Sequence, residues 1–155
     1  MKKCRICNHR IKRIVDLGKI ALVGNFLKTK RNQRKYNISL NYCLRCKHVQ
    51  ISEHLRPDLL FKNYLWETSI SQSNISLIKK LLEKLKKLGI NEKSKILEIA
   101  SNDGSFIEIL KKKFNSFALG VDPAKNLAKN ANTKKIFTIN DYFSQKLSYF
   151  IKKKF

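Results

Sequence analysis

Two groups of residues in this 155-residue sequence have types and spacing suited to chemistry. The first is a pair of C-x2-C knuckles, Cys4-Arg5-Ile6-Cys7 and Cys43-Leu44-Arg45-Cys46, separated by 35 residues. Two residues between cysteines let one tight turn aim both thiolates at one metal. Two such turns complete a tetrahedral four-thiolate site with Zn–S distances of about 2.3 Å. Four thiolates close the coordination sphere, so the expected zinc on Cys4, Cys7, Cys43 and Cys46 is structural rather than catalytic. It stabilises a module too small to build much of an apolar core. His9 and His48 lie beside the knuckles and are expected at the surface or supporting the ligands. The alternative is four buried or redox cysteines. The opening MKKCRICNHRIKR has no apolar run of the secretory type, which favours metal over disulfides and a cytoplasmic protein.

The second group is Glu98-Ile99-Ala100-Ser101-Asn102-Asp103-Gly104-Ser105, followed by Gly120-Val121-Asp122-Pro123. Small residues at a strand end let a ligand approach the backbone, at the position where open parallel sheets bind ligands. Asp122 falls 22 positions after Ala100, where a carboxylate can accept hydrogen bonds from both ribose hydroxyls of an adenosine. A dinucleotide needs glycines so that its pyrophosphate reaches a helix N-terminus. Aligned from Ala100, those positions are Ala100, Asn102 and Ser105, and none is glycine. S-adenosylmethionine carries no phosphate; its positive groups suit Glu98 and Asp103, and its carboxylate suits backbone N–H groups. Asn140 and Asp141 are expected near the adenine. The plain alternative for residues 98–105 is a strand–turn–helix joint with no ligand.

The elements that must position these groups follow from periodicity. Residues 1–53 are expected to form a zinc-ribbon-like module, with strands at Ile11–Val15 and Tyr36–Tyr42, an apolar stretch at Ile20–Leu27 and a charged loop at Lys28–Lys35. In the second strand Tyr36, Ile38, Leu40 and Tyr42 share a side. Residues 54–73 form a linker. Residues 74–88 read as an amphipathic helix, with Ile78, Leu81, Leu82, Leu85 and Leu88 on one face, Ser71 or Ser73 at its start and Gly89 at its stop. From Lys95 strands and helices alternate: Lys95–Ala100, Ser105–Lys113, Phe117–Val121, Pro123–Asn130, Ile136–Ile139 and Ser144–Lys154. Pro123 suits the first helical position. This order predicts an α/β fold with a parallel sheet over residues 74–155.

Hydrophobic residues make up 43% of the chain, enough for a packed core. No apolar run approaches the roughly 18 residues of a membrane span. The formal net charge is +23, yet only 7 of the 34 basic residues are arginine. The lysines lie along most of the chain, which reads as lysine-rich composition more than a nucleic-acid footprint. The rival reading from charge is a nucleic-acid-binding zinc ribbon using Tyr36, Tyr42 and Trp66. A third is a zinc-stapled interaction module without a ligand.

Together these residues resemble the sugar C-methyltransferase family, whose members methylate a carbon of a nucleotide-linked deoxysugar. The resemblance runs through both knuckles, Leu17-Gly18 with Leu22-Val23-Gly24-Asn25-Phe26, His48-Val49-Gln50, Tyr64-Leu65-Trp66, Ser69 to Ser73, Glu98 to Ser105, Gly120 to Ala124, and Thr138-Ile139-Asn140-Asp141 with Phe143. Val23-Gly24 departs from the family pattern. The resemblance implies a zinc-binding module followed by the first half of a Rossmann-like class I methyltransferase domain. It implies S-adenosylmethionine held by Glu98, Ala100, Ser101, Asn102, Asp103, Gly104, Asp122, Pro123, Asn140 and Asp141. In the family a Tyr/Glu/His group further along takes a proton beside a keto group, and the resulting carbanion attacks the methyl group. No position here matches that group. Tyr64 corresponds to a family tyrosine facing the active site, or is a packed linker aromatic. The resemblance therefore implies an N-terminal part that is inactive alone, with a nucleotide-linked sugar as substrate of the full enzyme and a second polypeptide as a candidate for completing the sheet. A half sheet is expected to leave an unpaired edge, an uncovered apolar face and weak stability.

Overall fold

The computed structural model describes residues 3–23 and 32–155. Residues 24–27 of the expected apolar stretch and the first half of the expected Lys28–Lys35 loop lie outside the described residues. The chain divides into two compact units, Met1–Leu60 and Phe61–Phe155.

The first unit is a three-stranded antiparallel sheet of β1 (Ile11–Ala21), β2 (Lys35–Cys43) and β3 (Val49–Ile51), in that order. Strand β1 continues well past the expected Val15. Its register shifts between Arg13 and Val15 and again between Asp16 and Lys19. At the second shift Gly18 adopts φ +73°, and its N–H donates to Asp16 Oδ1 at 3.0 Å. Such an irregularity interrupts the two-residue period, so only the first part of the strand was readable.

In β2 the residues Tyr36, Ile38, Leu40 and Tyr42 do share a side, and it is half-buried; the buried side is Ser39, Asn41 and Cys43. The interior of this unit is therefore polar. Asn41 Nδ2 donates to Ser39 O at 3.3 Å. Buried Gln50 accepts from Arg5 N–H at 2.9 Å and donates to Lys3 O at 3.3 Å. Hydrogen bonds and sulfur take the place of aliphatic packing, which leaves a metal as the strongest available staple.

The division between the units falls within α1 (Pro57–Phe61). In the second unit a single 3₁₀ turn at Thr68–Ile70 leads to α2 (Gln72–Lys87). Ser71 caps α2 by accepting from Asn74 N–H, and Ile78 and Leu82 are its buried residues. Then come β4 (Lys95–Ile99), α3 (Ser105–Phe114), β5 (Phe117–Val121), α4 (Lys125–Thr133), β6 (Thr138–Ile139) and α5 (Gln145–Lys154). The three strands pair in parallel, in the order β4-β5-β6. This is the mixed α/β architecture with a parallel sheet that strand–helix alternation predicts.

Two boundaries differ from expectation. Pro123 is not helical: Asp122 Oδ1 accepts the Ala124 N–H at 2.8 Å, and α4 begins only at Lys125. The carboxylate holds a turn where the proline's fixed φ had suggested a helix start. Strand β6 has two residues rather than four, because Ile136 is drawn into the core.

Two-residue periodicity gives the β4-β5-β6 sheet two faces. Ile96 and Ala118 face the core made with Ile78, Leu82, Ile107, Leu110, Phe114, Ala131 and Ile136. On the alternate positions Leu97, Ile99 and Phe117 remain 38%, 53% and 41% exposed. A cavity of about 350 Å³ lies on that side, lined by Leu97, Phe117, Leu119, Ile151 and Phe155 among others. Among the described residues β4 has no strand on its outer edge. The expected unpaired edge is present among the described residues, but the apolar face is only partly open: Leu119 and Val121 on it are each 1% exposed, and the Phe155 ring stacks on Phe117 at 5.5 Å. Among the described residues no helix is long and apolar enough to cross a membrane.

Candidate functional site

The four cysteines converge. The Sγ atoms of Cys4, Cys7, Cys43 and Cys46 all lie within 4.8 Å of one another, with Cys4 to Cys46 and Cys7 to Cys43 at 3.5 Å. A tetrahedron of sulfurs at about 2.3 Å from zinc has edges of about 3.8 Å, so the cluster fits a zinc ion. Both knuckles are built alike. Asn8 N–H donates to Cys4 O and Lys47 N–H to Cys43 O, each at 2.9 Å. Cys4 N–H donates to His9 O at 2.8 Å and Cys43 N–H to His48 O at 2.9 Å. Asn8 and Lys47 take φ of +57° and +62° to close these turns. The histidines thus serve the knuckles through their carbonyls, and neither joins the sulfur cluster among the described residues.

The sulfurs are electrostatically unequal. The backbone N–H of Cys46 is the main reason the Cys43 thiol falls to about 6, and that of Cys7 the main reason the Cys4 thiol is lowered. At Cys46 the His48 backbone N–H favours the thiolate, but burial and the sulfurs of Cys7, Cys4 and Cys43 push the thiol up to about 12. Several thiolates cannot share this space without a cation, and a divalent metal supplies one. The chain carries a four-cysteine zinc-binding site.

The second group gathers where β4 and β5 end. Ala100, Asn102 and Gly104 adopt φ of +60°, +54° and +75°. These three left-handed residues turn the chain sharply between β4 and α3. The third special position is Gly104, not Ser105, which is the first residue of α3. Gly104 has no room for a side chain: a Cβ there would lie 2.7 Å from Ile136 Cγ2. Asp122 Oδ2 accepts the Asn102 N–H at 2.8 Å, tying the turn to the end of β5.

The acidic residues differ in occupation. Asp103 is buried, and its oxygens accept Ser69 N–H at 3.0 Å, Ser105 N–H at 3.2 Å and Ser105 Oγ–H at 2.6 Å. Burial opposes its charge, but the donors from Ser105 and Ser69 outweigh it and hold the carboxyl below its usual value. Glu98 is the opposite case. Burial, then the neighbouring Asp103 and Asp122, push its carboxyl up to about 8. Glu98 Oε2 and Ser101 Oγ are buried and find no hydrogen-bond partner among the described residues. Unsatisfied buried polar atoms are costly.

Of the remaining expected site residues, Pro123 sits in the Asp122 turn, and Asn140 Nδ2 donates to Asp122 O at 2.9 Å, which brings the exit of β6 to the same end of the sheet. Asp141 is exposed, and its Oδ1 accepts the adjoining Tyr142 N–H at 2.7 Å.

One participant had no signal in sequence periodicity. Asn126, in the first turn of α4, accepts Tyr64 N–H at 3.0 Å and donates to Tyr64 O at 2.7 Å. An asparagine shortly after the acidic end of a strand is too common a pattern to single out unaided.

Residues 4–61 match a family model described as "Putative zinc binding domain", and that range contains all four cysteines. Over 142 residues the chain is 29% identical to a protein named C-methyltransferase NovU from Streptomyces niveus. The alignment takes in 88% of this chain and 34% of that relative, so the chain spans about a third of the relative's length.

Proposed function

We propose, from the premise that this chain carries a methyltransferase-related zinc-binding domain and is similar to a C-methyltransferase along most of its length, that it is the N-terminal part of an S-adenosylmethionine-dependent enzyme methylating a carbon of a nucleotide-linked deoxysugar. In this reading residues 1–53 are the zinc module, 54–73 a connecting segment, and 74–155 the first half of a Rossmann-like cofactor domain.

The observation that supports the reading is the pair of unpartnered buried polar atoms Glu98 Oε2 and Ser101 Oγ beside the left-handed turn Ala100–Gly104. When bound, S-adenosylmethionine supplies an electrophilic methyl group. Asp122 faces the ribose while its oxygens hold the backbone of Asn102 and Ala124. Asp103 sets the turn from beneath. Asn140 and Asp141 border the adenine. Glu98, held protonated up to about 8, loses its proton when a cationic group of the ligand is seated beside it. In this reading the further strands and the base lie outside these 155 residues, and methyl transfer by these residues alone is not expected.

Titration calorimetry with S-adenosylmethionine, at pH 7 in two buffers of different ionisation enthalpy, tests this. The expected result is saturable binding with proton release near one-half to one per site. Absence of binding, by calorimetry and equilibrium dialysis alike, removes the cofactor reading and leaves the zinc site standing.

A further inference from the structure

The segment Lys62–Ile70 is held against the turns after β4 and β5 by a series of hydrogen bonds. Lys125 N–H donates to Lys62 O at 2.9 Å. Asn126 brackets Tyr64 with the two bonds given above. Asn102 Nδ2 donates to Trp66 O at 3.1 Å, and Asn102 Oδ1 accepts Thr68 N–H at 2.9 Å. Asp103 accepts Ser69 N–H. No residue from Lys62 to Ile70 is buried, and Trp66 is 48% exposed. A segment fixed by six polar contacts, with no fully buried side chain and only partial cover of Tyr64 and Trp66, is among the parts of the unit that open most readily.

We propose that Asn126 and Asn102 are positioning residues that seat Lys62–Ile70 as a strap beside the cofactor turn, so that strap seating and ligand binding favour each other. The ligand half of this proposal rests on the cofactor reading above. Asn102 makes the linkage physical. Its side chain carries the strap, its N–H is held by Asp122, and its own left-handed backbone shapes the turn. Ligand that orders the turn also orders the strap, and by reciprocity a loosened strap weakens the ligand. Asn126 touches only the strap and lies exposed on α4, so its loss isolates strap seating from the integrity of the turn.

Trp66 is the only tryptophan of the chain, and it reports on the strap directly. The first arm compares acrylamide quenching of Trp66 and tryptic cleavage after Lys62 in the full chain, in Asn126→Ala, in Asn126→Asp and in the control Lys129→Ala, without ligand. The expected result is cleavage about tenfold faster in Asn126→Ala with stronger quenching. A smaller effect is expected in Asn126→Asp, which keeps the acceptor for Tyr64 N–H, and none in Lys129→Ala, with circular dichroism unchanged throughout. Equal cleavage and quenching in all four proteins overturns the strap. The second arm adds S-adenosylhomocysteine. Protection of Trp66 in the native chain, with roughly tenfold weaker affinity in Asn126→Ala, supports the linkage. Equal affinity in both overturns the linkage while leaving the cofactor reading intact. No binding to the native chain overturns both, and the first arm still decides whether the strap is seated.

Discussion

At Ala100 the backbone departs from what an alanine side chain prefers. A left-handed conformation costs a residue with a Cβ about 1–2 kcal/mol, and Ala100 sits at φ +60°. Ala100→Gly relieves that strain but adds unfolded-state entropy, so a net gain of about 0.5–1 kcal/mol in urea unfolding is the expected outcome. Gly120 behaves oppositely: a Cβ there would stand 2.4 Å from Ser101 Oγ and 2.9 Å from Ile107 Cδ1. Gly120→Ala should therefore cost about 1–3 kcal/mol by overpacking. Glu98 gives a pH signature. Its carboxyl, ordinarily near 4.5, is raised to about 8 in the folded chain. The folded state binds the extra proton, so this contribution is fully present below 4.5 and is lost as pH rises through about 8. Thermal unfolding from pH 5 to 9 should show Glu98→Gln gaining on the native chain as pH increases. A constant difference between the two would mean that Glu98 titrates normally.

At the scale of elements, hydrogen bonds from side chains decide what short segments do. Strand β6 has only two residues, and Asn132 holds it: Thr138 N–H donates to Asn132 Oδ1 at 3.1 Å and Asn132 Nδ2 to Thr138 O at 2.8 Å. Asn132→Ala should cost about 1–2 kcal/mol and speed amide exchange at Thr138. The same logic explains the late start of α4 at Asp122 and the length of β1 at Asp16. Each is a carboxylate claiming a backbone N–H, and neither leaves a trace in hydrophobic period. The periodic elements were legible in advance. The helix expected at 74–88 spans Gln72–Lys87, and the strand expected at Phe117–Val121 has those limits.

For the whole molecule, the two units rest on different physics. The first has a hydrogen-bonded interior around four sulfurs, so its order depends on metal. Purified protein should carry one zinc per chain, and a strong chelator should abolish the β-structure of residues 3–60 while the helices of residues 61–155 persist. Amide spectra before and after chelation check this, and persistence of the β1–β2 pairing without metal would contradict it. The second unit has an aliphatic core on one sheet face and a partly open apolar face on the other, where Leu97, Ile99 and Phe117 stay exposed. It should bind a hydrophobic dye there, and unchanged dye fluorescence would contradict an exposed apolar face. In the first unit basic groups sit over two aromatic rings, Arg34 over Tyr36 at 5.2 Å and Lys47 over Tyr42 at 5.8 Å.

What the linear order of residues determined by itself was whatever short-range spacing dictates. The two C-x2-C knuckles specify their metal because two residues per turn aim both thiolates one way. Alternating strand and helix periods specify a parallel sheet. Tertiary structure alone decided how polar side chains are spent, because a carboxylate or amide chooses its partner by position in space rather than along the chain. That is why Glu98 is left unsatisfied, Asp103 is fully engaged, and Asn126 reaches 62 residues back to hold Tyr64.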